Sequence, residues 1–350
     1  MNVFITGSSG FIGKRLVPLI LKDFEKIYLL VRPQSLKYAR EQFGEHSNII
    51  LVAGDILSND VLVNVEDLKE VVENVDSILH LAGGYDLEMS VLDAYTHNVV
   101  GVQNTLELAR KCKRLKFFHH VSTYAINAHK KGKVSESEDT EGNISRDHYT
   151  KSKLQGELLV KKTDIGSGVK KRIYRPGIVV GDSSQGRIEK VDGPYYFISF
   201  LLKLEKHKAM LEKFGVFPIP CTKSSSLPLV PVDTIAMWLQ VAILKPSESE
   251  ETKTYHFLGK EQINLRQFVE MCLKELDIQC SVMPIRSNLL LRKALHKIGI
   301  PEQLTSYMFS EANFSTTNRR SDFPELKEFS IQELVPTLIE GARNYLKGKE

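Results

Sequence analysis

Short apolar runs alternate with longer amphipathic stretches along the first half of the chain. The runs are Asn2–Ile5, Ile27–Val31, Ile49–Val52, Ser77–Leu81, Phe117–Ser122 and Lys171–Tyr174. Between them, apolar positions recur at helical spacing in Gly13–Leu21, Leu62–Val72, Ala94–Lys111 and Tyr149–Lys161. Runs this short and rich in Val and Ile read as strands buried on both faces. Their alternation with helices predicts a parallel sheet, wound with right-handed crossovers and covered by helices on both sides. The expected fold class is therefore α/β: a doubly wound parallel sheet of nucleotide-binding type with a smaller C-terminal substrate-binding domain.

The texture changes after Gly181. Gly, Pro and Ser collect in Gly181–Pro194 and Phe217–Pro231, around the basic helical stretch Phe197–Lys213. Leu229–Leu244 has the pattern of a strand entry followed by a helix, which predicts a return to the first domain. The expected division is residues 1–182 as the dinucleotide domain, with 229–258 returning to it, and 183–228 with 259–350 as the substrate region. Trp238, the sole tryptophan, is expected in helix packing; Lys245–Lys253 reads as a solvated loop, and Tyr345–Glu350 as a fraying end.

Composition narrows the function classes. Of 350 residues, 42% are hydrophobic and 26% charged, the range of an ordinary globular protein. A formal net charge of +4, spread rather than clustered, gives no basis for nucleic-acid binding. Cys112, Cys221, Cys272 and Cys280 form no CxxC pair and have no His at zinc spacing, so reduced buried thiols are expected, and no metal site. The chain starts directly on a strand pattern and holds no apolar run of membrane-spanning length, which predicts a cytoplasmic protein.

The first strand runs into Thr6-Gly7-Ser8-Ser9-Gly10-Phe11-Ile12-Gly13 and then a helix. Glycines in a strand–turn–helix let backbone amides approach a pyrophosphate, and the helix N-terminus favours its charge. Thr6, Gly7, Ser9, Gly10, Phe11, Ile12 and Gly13 are the expected cradle of a dinucleotide. The second strand ends in Arg32 where an NAD site would carry Asp or Glu. A guanidinium suits a ribose phosphate through charge and paired donors, which predicts NADPH as the cofactor. Gly54-Asp55-Ile56 follows the third strand, where Asp55 can meet the adenine amino group or cap a helix. His80-Leu81-Ala82-Gly83-Gly84 ends the fourth, where small residues allow close approach to the cofactor.

Tyr149 and Lys153 lie four residues apart and share one helix face. A phenol titrates near about 10. A neighbouring ammonium favours its ionised form, so Lys153 is expected to lower the pKa of Tyr149. The fifth strand ends Val121-Ser122-Thr123, where a hydroxyl can orient a substrate carbonyl; Thr123 is favoured, with Ser122 the alternative. Asn98 in the preceding helix is placed to hold a water near Lys153. His119 and His120 read as strand residues, and His148 as a weaker candidate for substrate contact.

These motifs resemble the extended short-chain dehydrogenase/reductases over at least residues 1–260. Matching residues are Gly7, Gly10, Gly13, Asp55, Ala82, Gly83, Asn98, Thr123, Tyr149 and Lys153. The resemblance implies a Rossmann cofactor domain, proton relay by the Tyr149–Lys153 pair and cofactor contacts extending to Pro176 and Ile178. It also implies a homodimer through the helices Ala94–Lys111 and Tyr149–Lys161. His80–Leu87, Arg175–Ser183 and Asp192–Tyr196 look like signatures of fatty acyl-CoA reductase-like and thioester reductase-like members. Gly83-Gly84 and His148 depart from that pattern, which more often carries Ala and Pro there.

The expected function is reduction of a fatty acyl thioester, on CoA or an acyl carrier, by NADPH, with Tyr149 giving the proton. A ketone or aldehyde reductase, a sugar-nucleotide epimerase or dehydratase, and a non-catalytic NADP sensor are the alternatives on this scaffold. Pro194–Leu204 and Leu227–Val230 can line an acyl pocket or pack as core. Lys203, Lys206, His207 and Lys208 can meet a CoA or phosphopantetheine phosphate or form a solvated face, and Leu289–Ile300 can dock on a membrane.

Overall fold

The computed structural model describes every residue except 87, 139–146, 287–295, 298–299, 302–303, 305–306 and 349–350. Most of the expected Leu289–Ile300 membrane-docking stretch lies outside the described residues. The main sheet is built from β1 (Asn2–Thr6), β2 (Lys26–Val31), β3 (Ile49–Ala53), β4 (Ser77–His80), β5 (Phe117–Val121), β6 (Lys170–Pro176) and β7 (Thr252–Phe257). All seven are parallel, in the order β7-β6-β5-β4-β1-β2-β3. The order reverses beside β1, so the carboxyl ends of β1 and β4 flank a crevice suited to a ligand.

The main helices are α1 (Gly13–Leu19), α2 (Leu36–Phe43), α3 (Val65–Asn74), α4 (Val91–Tyr95), α5 (Gly101–Lys111), α6 (His148–Lys162), α7 (Tyr195–Leu204), α8 (Val232–Leu244), α9 (Leu265–Glu275) and α10 (Ile331–Lys347). On one face, Leu16 and Val17 of α1, Ile20 just after it, and Ile235, Ala236 and Leu239 of α8 form a core with Val3, Ile5 and Leu29. On the other, Val71, Val102, Leu106 and Val160 of α3, α5 and α6 cover Phe4, Ile78 and Phe118. Alternate positions of each strand thus enter opposite cores, which is why the strands are apolar throughout. A third core joins α7, α9 and α10.

Two expected helices differ. Leu62 is drawn into an isolated bridge with Gly54, so α3 starts later, at Val65, capped by Asn64. The continuous helix over Ala94–Lys111 is broken into α4, a π-helical turn Thr96–Val100, and α5. The wider turn carries Asn98, which is buried. A bulge of this kind inserts a residue into the helical ladder and re-aims a side chain. The expected acyl-pocket stretch is mostly core: Phe197, Ile198 and Leu201 pack with Phe268 and Leu273, and Leu229 is buried with them. Among the described residues, no helix is long and apolar enough to cross a membrane.

Trp238 of α8 serves helix packing. Its ring meets Phe257 edge-on at 5.8 Å, lies under the Arg319 guanidinium at 4.5 Å, and donates from Nε1 to Lys327 O at 3.1 Å. Replacing Trp238 by Ala will lower stability by about 3–5 kcal/mol, because the void cannot be refilled from so many fixed neighbours. Urea unfolding followed by circular dichroism measures this.

Candidate active site

A cavity of about 610 Å³ opens at the carboxyl edge of the sheet. Of the expected residues, Gly7, Gly10, Phe11, Ile12, Gly13, Leu81, Gly83, Thr123, Tyr149, Lys153, Pro176 and Ile178 line it. Thr6, Ser9, Arg32, Asp55, Ile56, Ala82 and Asn98 are not in its lining. Thr6 is buried, and its hydroxyl joins His80 Nδ1 at 2.9 Å and accepts from Ala82 N at 3.2 Å. Ser9 and Arg32 are exposed. Asp55 closes a turn by accepting from Leu57 N at 3.0 Å, while Ile56 packs inward and its carbonyl accepts from Asn104.

The glycine turn fits a dinucleotide. A Cβ on Gly7 would lie 2.6 Å from Ala82 N, and one on Gly13 would lie 2.4 Å from Gly7 O. Only hydrogen fits between the turn, β4 and α1. Helix α1 has no side-chain cap and no acidic residue in its first turn, so no protein carboxylate competes for the positive end of the helix at Gly13, which lines the cavity.

Strand β5, helix α6 and the π-helical turn supply the chemistry. Thr123 caps the short turn Tyr124–Asn127, accepting from Ala125 N at 3.2 Å, and hydrogen-bonds the Tyr149 phenol. Ser122, the alternative hydroxyl, is committed elsewhere: it donates to Glu157 Oε2 at 2.6 Å. Asp147 caps α6 by accepting from Thr150 N at 2.7 Å, which fixes the turn carrying Tyr149. Lys153 donates to Val121 O at 2.8 Å.

The expectation that Lys153 lowers Tyr149 is corrected by this geometry. Burial dominates and pushes the phenol up, with the charges of Asp147 and Asp192 adding to the rise; the hydrogen bond with Thr123 opposes it. Burial pushes Lys153 down to about 8, partly opposed by Glu157. Its ammonium is therefore kept at neutral pH and lost as pH rises through that value. Burial likewise brings His80 and His119 to about 3 and holds His120 well below its ordinary range, so all three are neutral strand residues.

Asn98 is fully bracketed. Its Oδ1 accepts from Gly84 N at 2.9 Å, and its Nδ2 donates to Gly84 O and to Ser152 Oγ, each at 3.0 Å. Both amide protons are used, so a water against Lys153 would have only a remaining Oδ1 lone pair. The side chain braces the Gly83-Gly84 loop to α6. His148 is exposed and absent from the cavity lining, and Lys208 pairs with Asp277 at 2.5 Å on the surface.

A family model described as "Male sterility protein", for an NAD-binding domain, matches residues 5–239, more than half of the chain. The chain belongs to that male sterility protein family. This bears out the likeness to fatty acyl-CoA reductase-like short-chain dehydrogenase/reductases. Fatty acyl-CoA reductase 1 of Xenopus laevis is 28% identical over 150 residues, 37% of this chain and 29% of that protein. Fatty acyl-CoA reductase 2 of Bos taurus is 23% identical over 308 residues, 73% of this chain and 57% of that protein. The chain thus spans less than two thirds of the length of either relative. In fold it is similar to the terminal R domain of the myxalamid PKS-NRPS pathway, with a TM-score of 0.74 and 20% identity over 98% of this chain and 90% of that one. A Rossmann-type sheet and a nicotinamide dinucleotide site are therefore features of this family member.

Sequence reasoning missed several groups that the fold brings to the same cavity. Tyr85 meets Tyr149 edge-on at 5.0 Å, and Asp192 lies beside both. Tyr307, from the C-terminal region, donates to Asp147 Oδ2 at 2.6 Å and lies 2.7 Å from Thr150 Oγ1. Asp192-Gly193-Pro194-Tyr195-Tyr196 was visible as a motif; nothing local marked Tyr307.

Behind the site, Arg175 Nη2 donates to Glu157 Oε1 at 2.6 Å and Nε to Oε2 at 3.1 Å, both side chains being buried. The guanidinium holds Glu157 well below the usual carboxylate range against burial. Arg175→Met will leave that carboxylate buried and without its main partner, lowering stability by about 3–5 kcal/mol. Denaturant unfolding checks the loss, and Ser122 and α6 should show the largest gain in amide exchange.

Proposed function

We propose that this family member is an NADPH-dependent oxidoreductase that reduces the carbonyl of a fatty acyl thioester, on CoA or an acyl carrier. The observation that carries the proposal is the grouping of Thr123, Tyr149 and Lys153 in one cavity that begins at the glycine turn. The reduced nicotinamide supplies a hydride to the carbonyl carbon when bound. Thr123 and Tyr149 hydrogen-bond the carbonyl oxygen, and Tyr149 gives it a proton as negative charge develops. A phenol pushed up by burial stays protonated at neutral pH, which suits an acid in the reductive direction. Lys153, a buried cation, holds the nicotinamide ribose and compensates the tyrosinate that forms. Gly7, Gly10, Phe11, Ile12 and Gly13 take the pyrophosphate, and Asp55, through its free carboxylate oxygen, the adenine.

Arg32 supports the choice of NADPH. It stands exposed at the end of β2, and among the described residues its guanidinium has no carboxylate partner. A free cation there suits a 2′-phosphate. Arg32→Ala will weaken NADPH binding by about tenfold or more while leaving NADH nearly unchanged, as a charge-assisted contact is lost. Titration of the two cofactors by fluorescence decides this; equal losses would remove the case for NADPH.

Turnover of NADPH with long-chain acyl-CoA, and separately with simple aldehydes and ketones, tests the substrate class. Tyr149→Phe should reduce kcat by about 10²- to 10⁴-fold, the range of a lost general acid. Reduction of free carbonyls alone would leave the cofactor and proton donor in place and make the protein a ketone or aldehyde reductase.

A further inference from the structure

Residues 182–194 lead from the short strand Ile178–Val180 to α7, and Ile188, Glu189, Lys190 and Asp192 among them line the cavity. At its start this strap is tied to α8, where Ser183 N and Oγ donate to Asp233 at 2.9 and 2.6 Å, and along the cavity it is tied at two further places. Glu189 Oε1 lies 3.4 Å from Lys14 Nζ and 3.7 Å from Arg15 Nη1 on α1. Lys190 Nζ lies 4.6 Å from the centroid of the Tyr85 ring and 3.2 Å from Asp192 Oδ2. The Asp192 carboxylate lies close enough to the Tyr85 phenol to push it up, adding to the effect of burial. On its other side, the Tyr85 ring meets that of Tyr149 at 5.0 Å and 80°.

Tyr85 is 46% exposed, so burial alone does little to fix its ring. Its partners do: an ammonium over the ring, a carboxylate at the hydroxyl and a second ring at its edge. Its backbone is fixed as well, because Gly84 is held at both N–H and C=O by Asn98.

We propose that Tyr85 and Asp192 are positioning residues for Tyr149: they form a latch that pins the 182–194 strap along the cavity and holds the Tyr149 ring in its hydrogen bond with Thr123. The role in turnover rests on Tyr149 being the proton donor; the latch itself does not. Asp192 also acts on Tyr149 by charge. The groups around that phenol are Asp147 ahead of α6, Thr123 and Tyr124 after β5, Tyr85 after β4 and Asp192 on the strap, with Lys153 lining the same cavity. A carboxylate disfavours the phenolate, so removing the charge of Asp192 lowers the pH at which the acid form of Tyr149 is lost.

The experiment uses the full chain and the variants Tyr85→Leu, Tyr85→Phe, Asp192→Asn and Asp192→Glu. The first readout needs no substrate: trypsin cleavage after Arg187 and Lys190, followed by mass spectrometry. Cleavage should be severalfold faster in Tyr85→Leu and Asp192→Asn than in wild type, since local opening of the strap is then less costly. Tyr85→Phe deletes one hydroxyl and Asp192→Asn one charge, each at nearly constant shape, so they carry the test if Tyr85→Leu does not fold. The second readout is NADPH turnover. In Tyr85→Leu and Asp192→Asn, kcat should fall about tenfold or more through misplacement of the proton donor, with KM for NADPH little changed. In Asp192→Asn the alkaline limb of the kcat profile should move to lower pH, and Asp192→Glu should restore it.

Cleavage at the wild-type rate in all variants overturns the latch, whatever the protein reduces. Faster cleavage with wild-type kcat and an unmoved alkaline limb overturns the positioning role. A wild type inert toward every carbonyl would instead count against the proton-donor assignment, leaving the cleavage result to decide the latch.

Discussion

The buried pair of Glu157 and Arg175 fixes the phase of everything around the cavity. It joins the middle of α6 to β6, and through Ser122 it reaches the end of β5. Taking two charges out of water costs several kcal/mol per ion, and the attraction between them returns that only with good geometry and further hydrogen bonds. Here the fork of Arg175 meets both carboxylate oxygens, and the Ser122 hydroxyl adds a third donor. Such a pair contributes less to net stability than to specificity, because α6 can satisfy Glu157 in only one rotation and one height against the sheet. That single setting places Lys153, one turn earlier, at Val121 O, and Tyr149, a further turn on, at Thr123. It also commits the Ser122 hydroxyl to Glu157, so of two adjacent residues that line the cavity Thr123 is the one that meets Tyr149.

The same burial that makes the pair costly sets the charge pattern of the site. His80 and His120 stack at 5.5 Å beneath the carboxyl edge, and both feel the cation of Lys153 as well as the loss of solvent. Both are neutral for that reason, and Lys153 remains the positive group aimed at the edge of the sheet. Glu157 offsets part of the penalty on Lys153, so the ion pair supports the lysine electrostatically as well as sterically. Tyr149 then sits among Thr123 and the carboxylates of Asp147 and Asp192, with burial and both charges weighting the balance toward the protonated phenol.

How much of this was legible in the sequence follows from the range over which each signal acts. The six strands of the first half, the glycine turn and the Tyr149–Lys153 face are local patterns, and the structure has them as expected. The π-helical turn at Thr96–Val100 was not legible, because its apolar spacing is that of an unbroken helix and the insertion only shows once Asn98 has found Gly84 and Ser152. The stretch Pro194–Leu204 stayed open between acyl pocket and core for a related reason. Phe197, Ile198 and Leu201 are apolar whether they face a ligand or a core, and only α9 and α10, far along the chain, decide that they face a core. Tyr85, Asp192 and Tyr307 are joined to the site by contacts between residues far apart in the chain, which no local pattern encodes. The sign of the Tyr149 shift failed because a helix-face argument counts the near lysine and omits burial, the larger effect here.

The two glycines that depart from the family pattern gain a physical meaning in this light. A Cβ on Gly83 would stand 2.9 Å from Asn98 Oδ1, and one on Gly84 would stand 2.7 Å from Met89 Cε. An alanine at either place would have to displace the amide that braces the loop to α6, or the side chain beside it. The bare backbone lets Asn98 take both polar groups of Gly84 and still reach Ser152, so the loop after β4 and the helix carrying Tyr149 are cross-linked by one side chain. That brace belongs to the cofactor half of the fold and owes nothing to the strap, which approaches Tyr149 from the opposite end of Tyr85. Frame and strap meet at that ring, at Glu189 beside α1 and at Ser183 beside α8. A change of substrate can therefore be accommodated in residues 182–194 and the C-terminal region, where Tyr307 enters, without disturbing the sheet, the glycine turn or the ion pair that hold the reacting groups.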